Sequence, residues 1–508
     1  MKKVLVFVLA VLMLALLFGC ARDTDKQELW IVTERTTWDR MNGQAWVLID
    51  KFEESHPGIT VRLDILPTQE QERSVYLQQL RTQILRGGGP DGYLLPTSSE
   101  LTFDNSTGYL YETVEPLFAD AYQAMENGIF RDISDLYDTD ADLHTEALLQ
   151  PVMDAGVLDG KRYILPLRYD IPVIYADEAE MKKAGLSPEL LEQNMLSIMA
   201  AAAETKDLYW SNSAAYYRPD ALGYWMDYVN QGVNLTQAQL QEYFALYQTL
   251  TAQAVAPDDL YFSYNTKLNV RNYVWKHYKG QFLTGALFAE NQNREGTLPR
   301  YPMHIGSLSD LLDYAPVYQY EQKPIHIVPM RGLDGQVVAK VTYYAAVGAG
   351  CEKPELTYEF LRQFLTEESQ LEQNRAQSKN AIGDRGRVVN TTNASQYPGL
   401  IEAGWPVRSG DSLNALWKVY RKQFYSKNAA DSYKDTMRGI GLADLEESWA
   451  AILDADIDRV CFGADLAETF EAYLDMLNDP ETHIPTDADI ETLSQRLLWQ
   501  LRLQVGEG

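Results

Sequence analysis

Apolar and polar positions in the first hundred residues change period in a regular succession. Leu29-Trp30-Ile31-Val32 is a compact apolar run of strand length. From Ala45 to Glu54 the apolar residues Trp46, Ile49 and Phe52 recur at helical spacing, and His56-Pro57-Gly58 ends the helix because Pro cannot continue it. Ile59, Val61, Leu63 and Ile65 then alternate with polar residues, the period of a half-buried strand. A second helix is predicted over Gln69–Arg86, with Leu77, Leu80 and Ile84 on one face. Gly87-Gly88-Gly89-Pro90-Asp91 stops it ahead of a third strand at Tyr93-Leu94-Leu95. Strand, helix, strand, helix, strand predicts an α/β fold with a parallel sheet and right-handed crossovers. Ligands of such sheets sit beyond the carboxyl ends of the strands.

Further along, Val173-Ile174-Tyr175, Ile325-His326-Ile327-Val328 and Val341-Thr342-Tyr343-Tyr344 read as strands. Tyr358–Asn374, Leu413–Tyr425, Ala443–Val460 and Ile490–Leu503 read as helices. A chain of 508 residues exceeds what one hydrophobic core supports, so two or more domains are expected. The charge changes the picture by exclusion. With 44 basic against 72 acidic residues the net charge is −28, which repels phosphate backbones and anionic headgroups and argues against nucleic-acid binding.

The N-terminus carries an address. Lys2-Lys3 precede the apolar run Val4–Phe18, which is shorter than the ~20 residues of a spanning helix, and Gly19-Cys20 leads into polar sequence. Leu17-Phe18-Gly19-Cys20 resembles a bacterial lipobox, which implies cleavage before Cys20 and lipid on its sulfur. Residues 1–19 are then a signal peptide and 20–27 a tether, with the protein held at the extracytoplasmic face of the cell membrane.

Catalytic and metal motifs are missing from the sequence. The six histidines show no HExxH spacing, there is no GxSxG elbow, and the glycine run lacks the Lys-Ser/Thr of a phosphate loop. Asp454, Asp456 and Asp458 imitate the start of a calcium loop, but Arg459 stands at the glycine position, and a solvated helix face is expected there. No cofactor, no metal site and no enzymatic activity are expected.

Four stretches together resemble the family 1 extracellular solute-binding proteins, the maltose-binding-like group. They are Phe52–Val61, Gly87–Asp91, Asp159-Gly160-Lys161-Arg162-Tyr163-Ile164-Leu165-Pro166, and Tyr358–Thr366 with Gln370 beyond. The resemblance covers roughly residues 28 to 410. It departs at Gly92, where an apolar strand residue is usual, and at 102–125, which reads as an insertion. It implies a two-lobed periplasmic-binding-protein-like clamshell, each lobe a sheet flanked by helices, joined by a hinge. Residues 28–168 and 325–375 would form the N-terminal lobe, and 169–324 and 376–508 the C-terminal lobe. Cys351 and Cys461 then fall in different lobes and are expected as free or buried thiols.

The implied role is capture of a solute, with a carbohydrate favoured, for the membrane permease subunits of an ABC importer, by a monomer. A ligand-presenting sensor and an enzyme acting on surface polysaccharide are the alternative readings. The 32 tyrosines and 10 tryptophans suit sugar rings, whose C–H faces stack on aromatics. Position selects the candidates. Thr36 and Trp38 follow the first strand, Thr97 the third. Arg168, Tyr169 and Asp170 stand at the first hinge crossing, and Tyr343 and Tyr344 end a late strand. Tyr224, Trp225 and Phe288 are aromatic candidates from the second lobe. Trp405, between Gly404 and Pro406, is expected in a loop as a stacking platform at the cleft mouth.

Overall fold

The computed structural model describes residues 27–34, 44–67, 69–97, 101–103, 111–113, 117–118, 120–204, 226–227, 232–253, 303–307, 325–371, 404–408, 452, 457–462 and 486–506. The first strands and helices stand where the periodicity puts them: β1 Gln27–Thr33, α1 Gln44–Ser55, β2 Ile59–Ile65, α2 Glu70–Leu85 and β3 Gly92–Pro96. Ala45, Leu48, Ile49 and Phe52 of α1 are buried against the sheet. Gly87 ends α2 with a φ of 78°, a conformation that suits a residue without Cβ. Asp91 ties the turn back to β1, its carboxylate accepting from Trp30 N at 2.8 Å.

These strands join a seven-stranded sheet with β4 Ile164–Asp170, β8 Val338–Val347, β9 Trp405–Pro406 and β10 Arg459–Phe462. The order is β9-β4-β8-β3-β1-β2, with β10 beside the first half of β8. β1 is parallel to β2 and β3, while β8 is antiparallel to both β3 and β4. A second sheet has β5 Pro172–Asp177 between β6 Met303–Ser307 and β7 Ile325–Pro329, antiparallel to both. The chain passes between the sheets at Ile171 and again between Pro329 and Val338. Helix α3 Met195–Glu204 packs on α4 Gln237–Gln253, which also meets α7 Asp487–Gln504, and Thr486 caps α7 through a reciprocal bond with Asp489.

Several expectations change. β7 pairs with β5 in the second sheet, so the return crossing lies after residue 329 and not before 325. β9 and β10 join the first sheet although both fall in the stretch assigned to the C-terminal lobe. The helix expected over Ala443–Val460 does not extend to its end. Arg459 and Val460 are in β10, and Asp458 exchanges backbone and carboxylate bonds with Val337 instead of lining a solvated helix. Arg459 pairs with Asp334 at 3.0 Å. Cys461 therefore shares a sheet with the body that holds Cys351, and both thiols are buried and free. The helix expected over Tyr358–Asn374 breaks into α5 Pro354–Arg362, a 3-10 turn and α6 Glu367–Leu371. Asp454, Asp456 and the predicted helix Leu413–Tyr425 lie outside the described residues, as do the signal peptide and Cys20.

Both departures from the family pattern acquire a reason or a shape. A Cβ on Gly92 would stand 2.9 Å from Ile31 Cδ1 and 3.0 Å from Thr357 Cγ2, so α5 crosses β3 too closely for a side chain. At the start of the insertion, Leu101–Phe103 and Tyr111–Thr113 pair as an antiparallel hairpin. Among the described residues no helix is long and apolar enough to cross a membrane.

Candidate functional site

β1, β2, β3 and β4 run the same way, so their carboxyl ends share one edge, where β8 begins in the opposite sense. At this edge one row of register partners runs Pro96, Tyr343, Arg168, Pro406, and the next runs Val341, Tyr169, Trp405. Asp170 stands opposite Lys340. The β8–β4 register slips twice here, on either side of Tyr343. Such irregularities bend a strand and re-aim its side chains, and they gather beside binding sites.

Thr97 donates through its hydroxyl to Val341 O at 2.6 Å and through its backbone to Thr342 O, fixing the end of β3 to the start of β8. Glu34, just past β1, is held in a buried bidentate pair by Arg73 of α2, at 2.7 and 2.9 Å. Asp170 is partly exposed, and its carboxylate accepts from Ile171 N at 2.9 Å at the crossing itself. Tyr169 is buried. Desolvation first, and the Asp170 charge second, push its hydroxyl well above the usual phenol range.

Arg168 is 2 % exposed. Burial alone lowers its guanidinium to about 9, and it remains a cation at neutral pH. It donates from Nη1 to Leu167 O at 2.8 Å and from Nη2 to Ser369 O at 3.5 Å.

Trp405 requires a correction. It is a strand residue, 1 % exposed, in the edge strand β9, where the missing N–H of Pro406 is tolerated. Gly404 makes this possible at a φ of 105°, with a hypothetical Cβ only 2.5 Å from Thr342 Oγ1 and 2.9 Å from Tyr169 O. Gln370 locks the segment by accepting from Val407 N at 3.0 Å while donating to Leu167 O and Phe364 O.

Tyr344 also departs from its expected place. It is buried in an aromatic cluster, edge-on to Phe130 and Phe462, and belongs to the core. The edge thus brings together the partly exposed Asp170 and the buried Thr97, Arg168, Tyr169, Tyr343 and Trp405. Thr36, Trp38, Tyr224, Trp225 and Phe288 lie outside the described residues. Sequence reasoning passed over Glu34 and Lys340. Glu34 was within reach, since it directly follows the first strand, but its partner Arg73 is 39 residues away.

The sequence of residues 38–371 matches the model of the bacterial extracellular solute-binding protein family. No curated protein matches. Among solved structures, the chain is similar to a periplasmic solute-binding protein from Pectobacterium atrosepticum, with 14 % identity, 94 % of this chain and 98 % of that one covered, and a TM-score of 0.49. A family 1 extracellular solute-binding protein from Alicyclobacillus acidocaldarius matches at 12 % identity, 94 % and 98 % coverage and a TM-score of 0.45. An ABC transporter solute-binding protein from Thermotoga lettingae, bound with α-D-tagatose, matches at 14 % identity, 94 % and 100 % coverage and a TM-score of 0.46. Since the family model spans well over half of its residues, the chain belongs to the bacterial extracellular solute-binding proteins.

Proposed function

We propose that this protein captures a carbohydrate at the carboxyl edge of its seven-stranded sheet and delivers it to the permease of an ABC importer, while lipid on Cys20 holds it at the outer face of the membrane. Membership of the family places its work outside the cytoplasm, and solute-binding proteins are generally not enzymes. The single observation that carries the reading is the convergence of Thr97, Arg168, Tyr169 and Asp170 where the chain leaves one sheet for the other. An open α/β sheet binds its ligand at that place. The partly exposed Asp170 carboxylate at this edge supplies a hydrogen-bond acceptor to a sugar's rim.

The first lobe then holds β1–β4 and β8–β10, and the second holds β5–β7. Solute contacts made in the closed arrangement shift the equilibrium between open and closed forms, and the closed form docks on the permease. Thermal melting against a panel of sugars, peptides and polyamines tests the reading, because a ligand of the native state raises Tm. A saccharide is expected to stabilise. A shift with peptides or polyamines alone overturns the carbohydrate assignment.

A further inference from the structure

The three buried arginines among the described residues are treated differently. Arg73 has the Glu34 carboxylate on two nitrogens. Arg162 donates to Met153 O, reaches Asp154 at 3.5 Å and lies over the Tyr137 ring at 4.0 Å. Arg168 has no carboxylate within ion-pair distance among the described residues, and its buried Nε–H has no hydrogen-bond partner there.

The remaining donors have a defined arrangement. Nη1 gives one of its two N–H groups to the carbonyl just before it, and Nε and Nη2 have only the 3.5 Å contact to Ser369 O between them. Those two nitrogens form the side-on fork of a guanidinium, whose parallel N–H bonds match the two oxygens of a carboxylate. A desolvated cation left without a counter-ion is costly, and a partner that supplies one is bound in proportion. The protein's −28 charge gives an anionic solute no general attraction, so recognition of one must come from a local group such as this.

We propose that the solute is an acidic saccharide whose single carboxylate pairs side-on with Arg168. This rests on the reading of the carboxyl edge as the solute site and narrows it. Arg168 is 2 % exposed with Ser369 O nearest its free nitrogens, so pairing requires the segment that holds Ser369 to part from β4 when solute binds. Asp170 faces the same edge and disfavours a second negative charge, so a monoanion fits better than a phosphate ester.

The experiment is calorimetric titration and thermal melting of the full extracytoplasmic chain with the monosaccharides galacturonate and glucuronate, each a monoanion. The matched neutral galactose and glucose and the dianion glucose 6-phosphate serve as comparison arms. Wild type, Arg168→Met and Arg168→Lys are compared. The expected result is a wild-type preference for the uronates of about a hundredfold, the scale of a desolvated charge pair. Arg168→Met abolishes this preference while its unliganded Tm is equal to or above wild type, because an uncompensated buried charge has been removed. Arg168→Lys retains part of the preference without the bidentate fork. A merely structural arginine would lower Tm in the Met variant and leave the acid-to-neutral ratio unchanged, which overturns the proposal. Equal binding of neutral and acidic sugars, or preference for the phosphate ester, overturns it too while leaving carbohydrate capture intact. Absence of binding by every saccharide overturns both.

Discussion

Replacing Trp405 with Ala separates the two roles that its neighbours allow. The indole is 1 % exposed, on an edge strand one residue from a glycine that cannot shift. A Cβ on Gly404 would already overlap Thr342 and Tyr169, and Val407 is held by Gln370 on the other side. The backbone is pinned at both ends and cannot collapse into the void. The cost then lies near the middle of the range for deleting a buried aromatic, about 4 kcal/mol from transfer and cavity together. With an m-value of about 3 kcal/mol/M, that lowers the urea midpoint by about 1.3 M. Tryptophan fluorescence and circular dichroism through a urea titration give the midpoint, with calorimetry giving solute affinity on the same preparations. A midpoint within about 0.2 M of wild type, joined to a tenfold loss of affinity, would refute the packing argument and restore the exposed stacking platform that the Gly-Trp-Pro sequence suggests.

Glu34→Gln leaves Arg73 buried with half of its pair and is expected to destabilise by about 3–5 kcal/mol in the same urea assay. Gly92→Val drives methyl groups into Ile31 and Thr357, and a loss of about 1–3 kcal/mol is expected from overpacking. Native Cys351 and Cys461 should resist iodoacetamide at pH 8 and react once unfolded, since burial raises both thiols, Cys461 to about 12. Above the ordinary thiol value of 9.0 the unfolded chain loses a proton at Cys461 that the folded chain keeps, so this contribution to stability falls as pH climbs from about 9 to about 12. Cys461→Ala should remove that part of the alkaline slope in melts followed by circular dichroism.

What the sequence discloses is the part governed by local period. β1 to β3 and the helices between them are each long enough for alternation or a helical stripe to declare itself, and the carboxyl-edge rule then points to Thr97, whereas Arg168-Tyr169-Asp170 are reached only through the family resemblance, which places a hinge crossing there. What it conceals depends on distant partners. β9 has two residues and exists because Tyr169 and Gln370 are in place to receive it. β10 is a four-residue run, Arg459-Val460-Cys461-Phe462, too short to tell from the end of a helix until β8 pairs with it. β7 reads correctly as a strand, but nothing in Ile325–Pro329 says that its neighbour is β5 and not the first sheet. Tyr343 and Tyr344 are adjacent and both buried, and because successive strand side chains take opposite faces, Tyr344 alone joins the Phe130 and Phe462 rings.

Hydrogen–deuterium exchange with and without a stabilising saccharide locates the solute site. New protection is expected in residues 94–97, 168–171, 340–343 and 404–407, with the C-terminal half of α7 unchanged. Protection confined to α7 and α4, with the carboxyl edge exchanging as before, would contradict that location.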